Sequence, residues 1–266
     1  MNPEFLLKHH DSAQLWDAPT GANPGLTLAS AYGQALAVRQ LRIHRGEQPR
    51  GYKIGFTNRS IWPIYKVFAP IWGTVYDSTL SFCDGLGDVS LSRTCQPRIE
   101  PETVFGFART PAPGASMDEL FAALDWIAPG FEIVQSHLPD WKFTAPETVA
   151  DGALHARLLV GRKLPVASLS QSAQSLQAML SSATVALQNG SATVETGQGS
   201  NVLDNPMRAL HYFVAELRAC PDATDIQPGD VVTTGTWTNA WPVRPGETWT
   251  AAFSTPLGNL SVRFVD

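Results

Sequence analysis

Apolar residues recur at helical spacing from about Leu26 to Arg45, at Leu26, Ala29, Tyr32, Leu36, Ala37 and Leu41, and the spacing predicts a helix there. Gly46 and Pro49 close it. The period then changes. The stretch Gly-Tyr-Lys-Ile-Gly-Phe-Thr at 51–57 reads as a strand whose glycines let another chain or a ligand approach closely. From Ile61 to Leu80 the mixture of Trp, Tyr, Pro and Val predicts loops and short strands.

From Gln96 the run QPRIEPETVFGFAR is extended. A short helix is expected over Met117–Ile127, with Ser116 as N-cap ahead of Glu119. FEIVQSH reads as another strand, and TVALQNGSATVE as a hairpin turning at Asn189-Gly190. Pro206–Leu217 is an amphipathic helix with Pro206 near its first turn. The tail from Gly229 is a series of short strands with Pro-Gly and Gly-Asn turns. No Ser/Gly-rich linker and no fixed-period repeat interrupts the chain. The pattern predicts one α+β domain over 1–266, with a helical N-terminal part (1–50) and a β-rich catalytic part (51–266) built on a large mixed or antiparallel sheet, curled or sandwiched.

Composition narrows the function classes. The 266 residues are 44% hydrophobic and only 16% charged, with a net charge of −5. That weak acidity argues against nucleic acid, which demands a basic footprint. The apolar runs are too short for a membrane span, and the first residues lack the apolar core of a secretory signal. Three cysteines, Cys83, Cys95 and Cys220, show no metal spacing and suit a reducing, cytoplasmic location. With so few charges, each acid among apolar neighbours needs a reason.

Glu100 and Glu102 are two apart in an extended stretch, so their carboxylates share a face, together with Arg98 and Gln96. A third acid, Glu132, lies between Phe131 and Ile133. Three carboxylates on adjacent strands make an all-oxygen site for a hard divalent cation such as Mg²⁺ or Mn²⁺. The competing reading is a solvent-facing acid pair balanced by Arg98. Lys53 is flanked by apolar residues and glycine. Facing inward it is a candidate acid/base; facing outward it is an edge lysine that blocks sheet pairing.

These residues carry a family resemblance. The segments GYKIGFT, then Pro70-Ile71-Trp72-Gly73-Thr74-Val75, QPRIEPE, FEIV, DWKF, VAD and the closing PGDVVTTGT…VRPGETWTAAF…LGNLSVRF are similar, in order, to the 2-keto-4-pentenoate hydratase / 4-oxalocrotonate decarboxylase family of the fumarylacetoacetase superfamily. The resemblance runs from about Tyr32 to the C-terminus. It implies a mixed β-roll with peripheral helices, Mg²⁺ or Mn²⁺ held by Glu100, Glu102 and Glu132, and Lys53 as the active-site lysine. It implies 2-oxo or 2-hydroxydienoic acid substrates from aromatic catabolism, and a homo-oligomer. Thr234, Gly235 and Thr236 match a segment near the substrate end, where their N–H and hydroxyl groups are expected to hold the carboxylate.

The pattern breaks in two places. Family hydratases read P-D-[FY]-G where this chain has Ile71 and Trp72, and D-N-A-S-[SC] where it reads Asp151-Gly152-Ala153-Leu154-His155. His155 is the candidate replacement acid/base, against the alternative of a half-buried histidine bonded to backbone. Ile71, Trp72, Trp237 and Trp241 are expected to shape an apolar pocket side, against the alternative of sheet packing. Asp77 is not expected to turn inward, and Lys142 is read as an ion-pair partner of Asp140. His9-His10 reads as a solvated pair in a frayed terminus. The leading expectation is a metal-dependent hydratase. The others are a decarboxylase of a 2-oxo-enedioate, a tautomerase or C–C hydrolase, and a catalytically silent 2-oxo acid binding protein.

Overall fold

A computed structural model describes residues 2–17 and 20–266. Two mixed sheets and the helices around them make up the architecture. The larger sheet runs in the order Ile71–Tyr76, Pro49–Gly55, Val231–Thr233, Arg98–Phe107, Leu124–Val134, His155–Val160, Leu80–Phe82. The smaller runs Ala192–Gln198, Thr184–Asn189, Thr248–Phe253, Asn259–Val265, Leu86–Ser90. The Asn189-Gly190 hairpin forms as expected, with Ala192 opposite Asn189.

One core cluster draws on both sheets: Phe105, Phe131 and Ile133 from the larger, Leu187 and Leu260 from the smaller. The helix Pro206–Ala219 closes it. Its cap, Asn205, accepts the Arg208 N–H at 3.0 Å, and Met207, Leu210, Phe213, Val214 and Leu217 fall on one buried face. Each such side chain contributes about 1.5–3 kcal/mol when fully buried. Among the described residues no helix is long and apolar enough to cross a membrane.

Three expectations shift. The Met117 helix stops at Ala123, because Leu124 turns extended and begins an eleven-residue strand buried almost throughout. The apolar run 124–127 belongs to the sheet, where a long central strand outcompetes helix propensity. The N-terminus is not frayed. Pro3–Ser12 is a helix capped by Asn2, whose side chain accepts the Phe5 N–H at 2.7 Å. Leu6 and His9 are buried, and Leu6 shares a core cluster with Trp16, Leu26 and Ala31. The 26–45 helix is observed as Leu28–His44, capped by Thr27.

Candidate active site

Strand alternation assembles the site. Lys53 pairs with Thr233 across the parallel strand and with Gly73 across the antiparallel one, so it lies on an interior strand and is not an edge residue. Thr233 pairs with Val104, two residues from Glu102, and Glu100 pairs directly with Glu132. Paired residues share a face. Lys53, Thr233, Glu102, Glu100 and Glu132 therefore project from the same side of the sheet. Glu102 faces Gly130, where a Cβ would lie 2.4 Å from Val104 Cγ2; only glycine lets the strands meet at this register.

The three carboxylates each offer an oxygen within 4.8 Å of the others. Glu102 and Glu132 are fully buried, and Glu100 is partly exposed. Lys53 Nζ lies 3.1 Å from Glu132 Oε2 and donates to the Ala153 carbonyl at 2.9 Å. Burial, with Glu132 adding repulsion against the pull of Lys53, raises the Glu100 carboxyl to about 7. Burial and the two neighbouring acids push Glu102 well above the ordinary carboxylate range. Burial would depress the Lys53 ammonium, but the three acids outweigh it and hold the group above its usual value. Glu102 Oε1 is buried with no partner, an orphan acceptor aimed into the cluster. Such a charge-rich, under-satisfied oxygen set fits a divalent cation.

Two members of this group, Glu100 and Lys53, line a cavity of about 560 Å³. Ile71 lines it, as expected from its place in the strand. Trp72 does not. Adjacent strand residues face opposite ways, and Trp72 is buried against Tyr32 at 4.7 Å and Phe213 at 6.4 Å on the other side of the sheet. The Trp237 ring is fully buried and packs edge-on against Phe253 at 5.1 Å, and the residue is also part of the cavity lining.

The 234–236 segment also behaves differently from the expectation. The Gly235 N–H donates to Glu102 Oε2 at 2.6 Å, and the hydroxyls of Thr234 and Thr236 donate to the carbonyls of Thr103 and Thr238. These donors are taken up within the protein, so they orient Glu102, while Gly235 and Thr236 also line the cavity. Gly235 is required here: its φ is +99°, and a Cβ would fall 2.1 Å from Thr57 Oγ1. Thr233, which sequence reasoning passed over, gives its hydroxyl to the same Glu102 oxygen.

His155 is neither half-buried nor bonded to backbone. It is buried, its Nδ1 lies 2.9 Å from Glu132 Oε1, and its Nε2 lies 2.9 Å from Thr79 Oγ1. Burial outweighs the pull of Glu132 and keeps the imidazole below its ordinary pKa, so it is neutral, with its proton on Nδ1 toward the carboxylate. The ring is absent from the lining of the Lys53 cavity and borders a polar recess beside Arg42 and Arg157. It meets the cluster from behind, through Glu132. This corrects the expectation of a substrate-facing acid or base.

The remaining candidates resolve simply. Asp77 is exposed and accepts the Gln48 N–H, as expected of an acid that does not turn inward. Lys142 lies 3.7 Å from Asp140, both exposed. His137, for which sequence offered no partner, has Nδ1 2.6 Å from Asp151 Oδ1, and His10 Nε2 lies 3.5 Å from the same oxygen. That network fastens the N-terminal helix and leaves His10 only slightly exposed.

No protein-family model matches the chain. It is 31% identical over 267 residues to a 4-oxalocrotonate decarboxylase from Pseudomonas sp. (strain CF600), covering 98% of this chain and 96% of that one. It is 29% identical to a 2-hydroxyhexa-2,4-dienoate hydratase from Comamonas testosteroni, covering 93% and 90%. The solved 4-oxalocrotonate decarboxylase from Pseudomonas putida G7, complexed with magnesium and adipate, superposes with a TM-score of 0.86 at 27% identity, covering 99% and 95%. The fold is that of fumarylacetoacetase-type enzymes. The chain belongs to the 2-keto-4-pentenoate hydratase / 4-oxalocrotonate decarboxylase family.

Proposed function

We propose that the protein is a divalent-metal-dependent lyase acting on a 2-oxo or 2-hydroxydienoic acid, with hydration of the diene as its leading reaction. The observation that carries this is the buried Glu100–Glu102–Glu132 cluster with Lys53 in contact, beside a cavity. In this reading the three glutamates hold Mg²⁺ or Mn²⁺. The cation supplies a Lewis acid that draws electrons into the 2-oxo group and steadies the dienolate. Lys53 carries a proton at Nζ beside the cluster and delivers it to, or takes it from, the enol. Thr233 and Gly235 fix the Glu102 carboxylate through two hydrogen bonds to one oxygen, leaving the other free for the ion. His155 positions Glu132 from behind. Ile71 and the aromatic residues give the cavity an apolar part.

Decarboxylation of a 2-oxo-enedioate is the second reading, favoured by Ile71. This apolar side chain stands where family hydratases carry an acid, and loss of CO₂ needs no positioned water. The comparison with 4-oxalocrotonate decarboxylases supports the same scaffold for both reactions. The reading takes residues 1–266 as one domain of a cytoplasmic homo-oligomer, with a small 2-oxo acid as its partner. Low charge content and free cysteines support the assembly and the location. Diene absorbance followed alongside released CO₂ tests both reactions. Metal-dependent loss of absorbance without CO₂ is expected. Full turnover by Glu100→Gln and Glu132→Gln after chelation would remove the metal site from consideration. Tight binding of small 2-oxo acids with no turnover of any dienoate would instead define a silent binding protein.

A further inference from the structure

The cavity beside the carboxylate cluster has two chemically distinct parts to its lining. One is Glu100 with Lys53. The other is aromatic. Phe56 stacks on Tyr65 with centroids 4.7 Å apart and planes 28° apart, and Tyr65 stacks on Phe143 at 5.6 Å and 24°. Trp141 meets Phe143 edge-on at 6.2 Å. All four line the cavity and none is fully buried, so parts of this aromatic stack stay open to a ligand. The backbone holds this wall in place. Phe56 and Trp141 adopt positive φ values of 57° and 58°, the Trp62 indole N–H donates to the Phe56 carbonyl at 2.7 Å, and the Trp141 indole N–H donates to the Gln96 carbonyl at 3.0 Å.

Charge is distributed just as unevenly. Among the described residues, Lys53 is the one Lys or Arg lining the cavity, and it is held by Glu132 and the Ala153 carbonyl. The Arg98 guanidinium is laid over the Trp141 ring at 4.2 Å and is not part of the lining. The other acid lining the cavity, Glu195, already accepts from the Trp241 indole at 2.6 Å and from Asn239 at 3.0 and 3.1 Å. A carboxylate brought to this wall would lose its hydration without a counter-charge and would meet the negative charge of Glu195.

We infer that the aromatic part of the cavity is a subsite for an apolar tail, and that the preferred ligands are 2-oxo or 2-hydroxydienoic monoacids carrying an alkyl or aryl group at the far end. Size agrees. A five-carbon hydroxydienoate has eight non-hydrogen atoms, and even at about 30 Å³ each these fill under half of the 560 Å³. The inference rests on the proposed metal-bound oxo-acid head and adds the identity of the tail.

Calorimetry on the Mg²⁺-loaded protein with four stable probes tests it: pyruvate, 2-oxohexanoate, 4-phenyl-2-oxobutanoate and 2-oxohexanedioate. Pyruvate should bind only with metal. The hexanoate and phenyl acids should bind about tenfold tighter than pyruvate, and the dioate no tighter than pyruvate. A dioate that binds as tightly as the phenyl acid, or an enedioate turned over faster than an alkyl-tailed dienoate with CO₂ released, overturns the inference while leaving the metal-lyase reading intact. Failure of pyruvate to bind with metal overturns that reading and the inference with it. Phe143→Ala and, as a milder change, Tyr65→Leu should each lower the ratio of phenyl-acid to pyruvate affinity several-fold, and Phe143→Arg should shift preference toward the dioate. An unchanged ratio in variants with wild-type melting curves overturns the assignment of the wall.

Discussion

Glu102→Gln tests the metal site through two effects of opposite sign. The substitution keeps side-chain volume and removes one charge from a cluster whose oxygens lie within 4.8 Å of one another. At an effective dielectric of about 20, two carboxylates at that separation repel by roughly 3 kcal/mol. Burial and this repulsion already push the Glu102 carboxyl well above the ordinary carboxylate range, so its charge is disfavoured in the metal-free protein. Gln therefore costs the metal-free protein little, within about 1 kcal/mol, although its amide must present oxygen to Gly235 and Thr233. Under the proposed assignment the metal-loaded protein loses a ligand outright. Its affinity should fall by more than the roughly 10–100-fold typical of losing a ligand's supporting partner. Calorimetric titration with Mg²⁺ and Mn²⁺ measures the first effect and scanning calorimetry of the chelated protein the second. An unchanged metal affinity, or a chelated variant destabilised by more than about 3 kcal/mol, refutes the reasoning, because either result makes Glu102 a structural acid.

Glu100 titrates near 7 in the metal-free fold against an ordinary 4.5, so the folded state binds its proton more tightly than the unfolded chain. Stability from this group is complete below about pH 4.5 and falls by up to about 3 kcal/mol as pH rises to 7; melting temperatures of the chelated protein should decline over that window, and Mg²⁺ should reverse the decline. Gly235→Ala forces a Cβ to 2.1 Å from Thr57 Oγ1 at a φ of +99°. It should destabilise the fold by about 2 kcal/mol or more and weaken metal binding through the displaced N–H, as read by urea titration and calorimetry. Trp72→Ala opens a cavity against Tyr32 and Phe213 on the face away from the carboxylates. It should cost about 3–5 kcal/mol and leave the ranking of tail preferences unmoved; a changed ranking would put Trp72 in the site.

The carboxylate cluster was legible because a strand has a period of two, so Glu100 and Glu102 fall on one face whatever the rest of the fold does. The same rule exposes the misreading of Trp72: Ile71 and Trp72 are strand neighbours and cannot both line one cavity. Thr233 escaped notice because its partner, Glu102, lies on another strand, and pairing register is not written locally. The aromatic wall of Phe56, Tyr65 and Phe143 comes from segments outside regular strands, where apolar periodicity carries no information. His155 was found as a departure from a pattern, but which side of Glu132 it occupies depends on the sheet partner at Val134.

The contacts that build the cluster also bear on how the protein is made. Lys53 reaches Ala153 across 100 residues of chain, and Glu102 is gripped by Thr233 and Gly235 across 131 and 133. A fragment that contains them all must run at least from Lys53 to Gly235. Closing such long loops is slow and comes late. On a ribosome or in a refolding cuvette, capture of the proposed ion should therefore appear with the last kinetic phase, making the ion a reporter of a finished chain and not a seed around which the chain assembles.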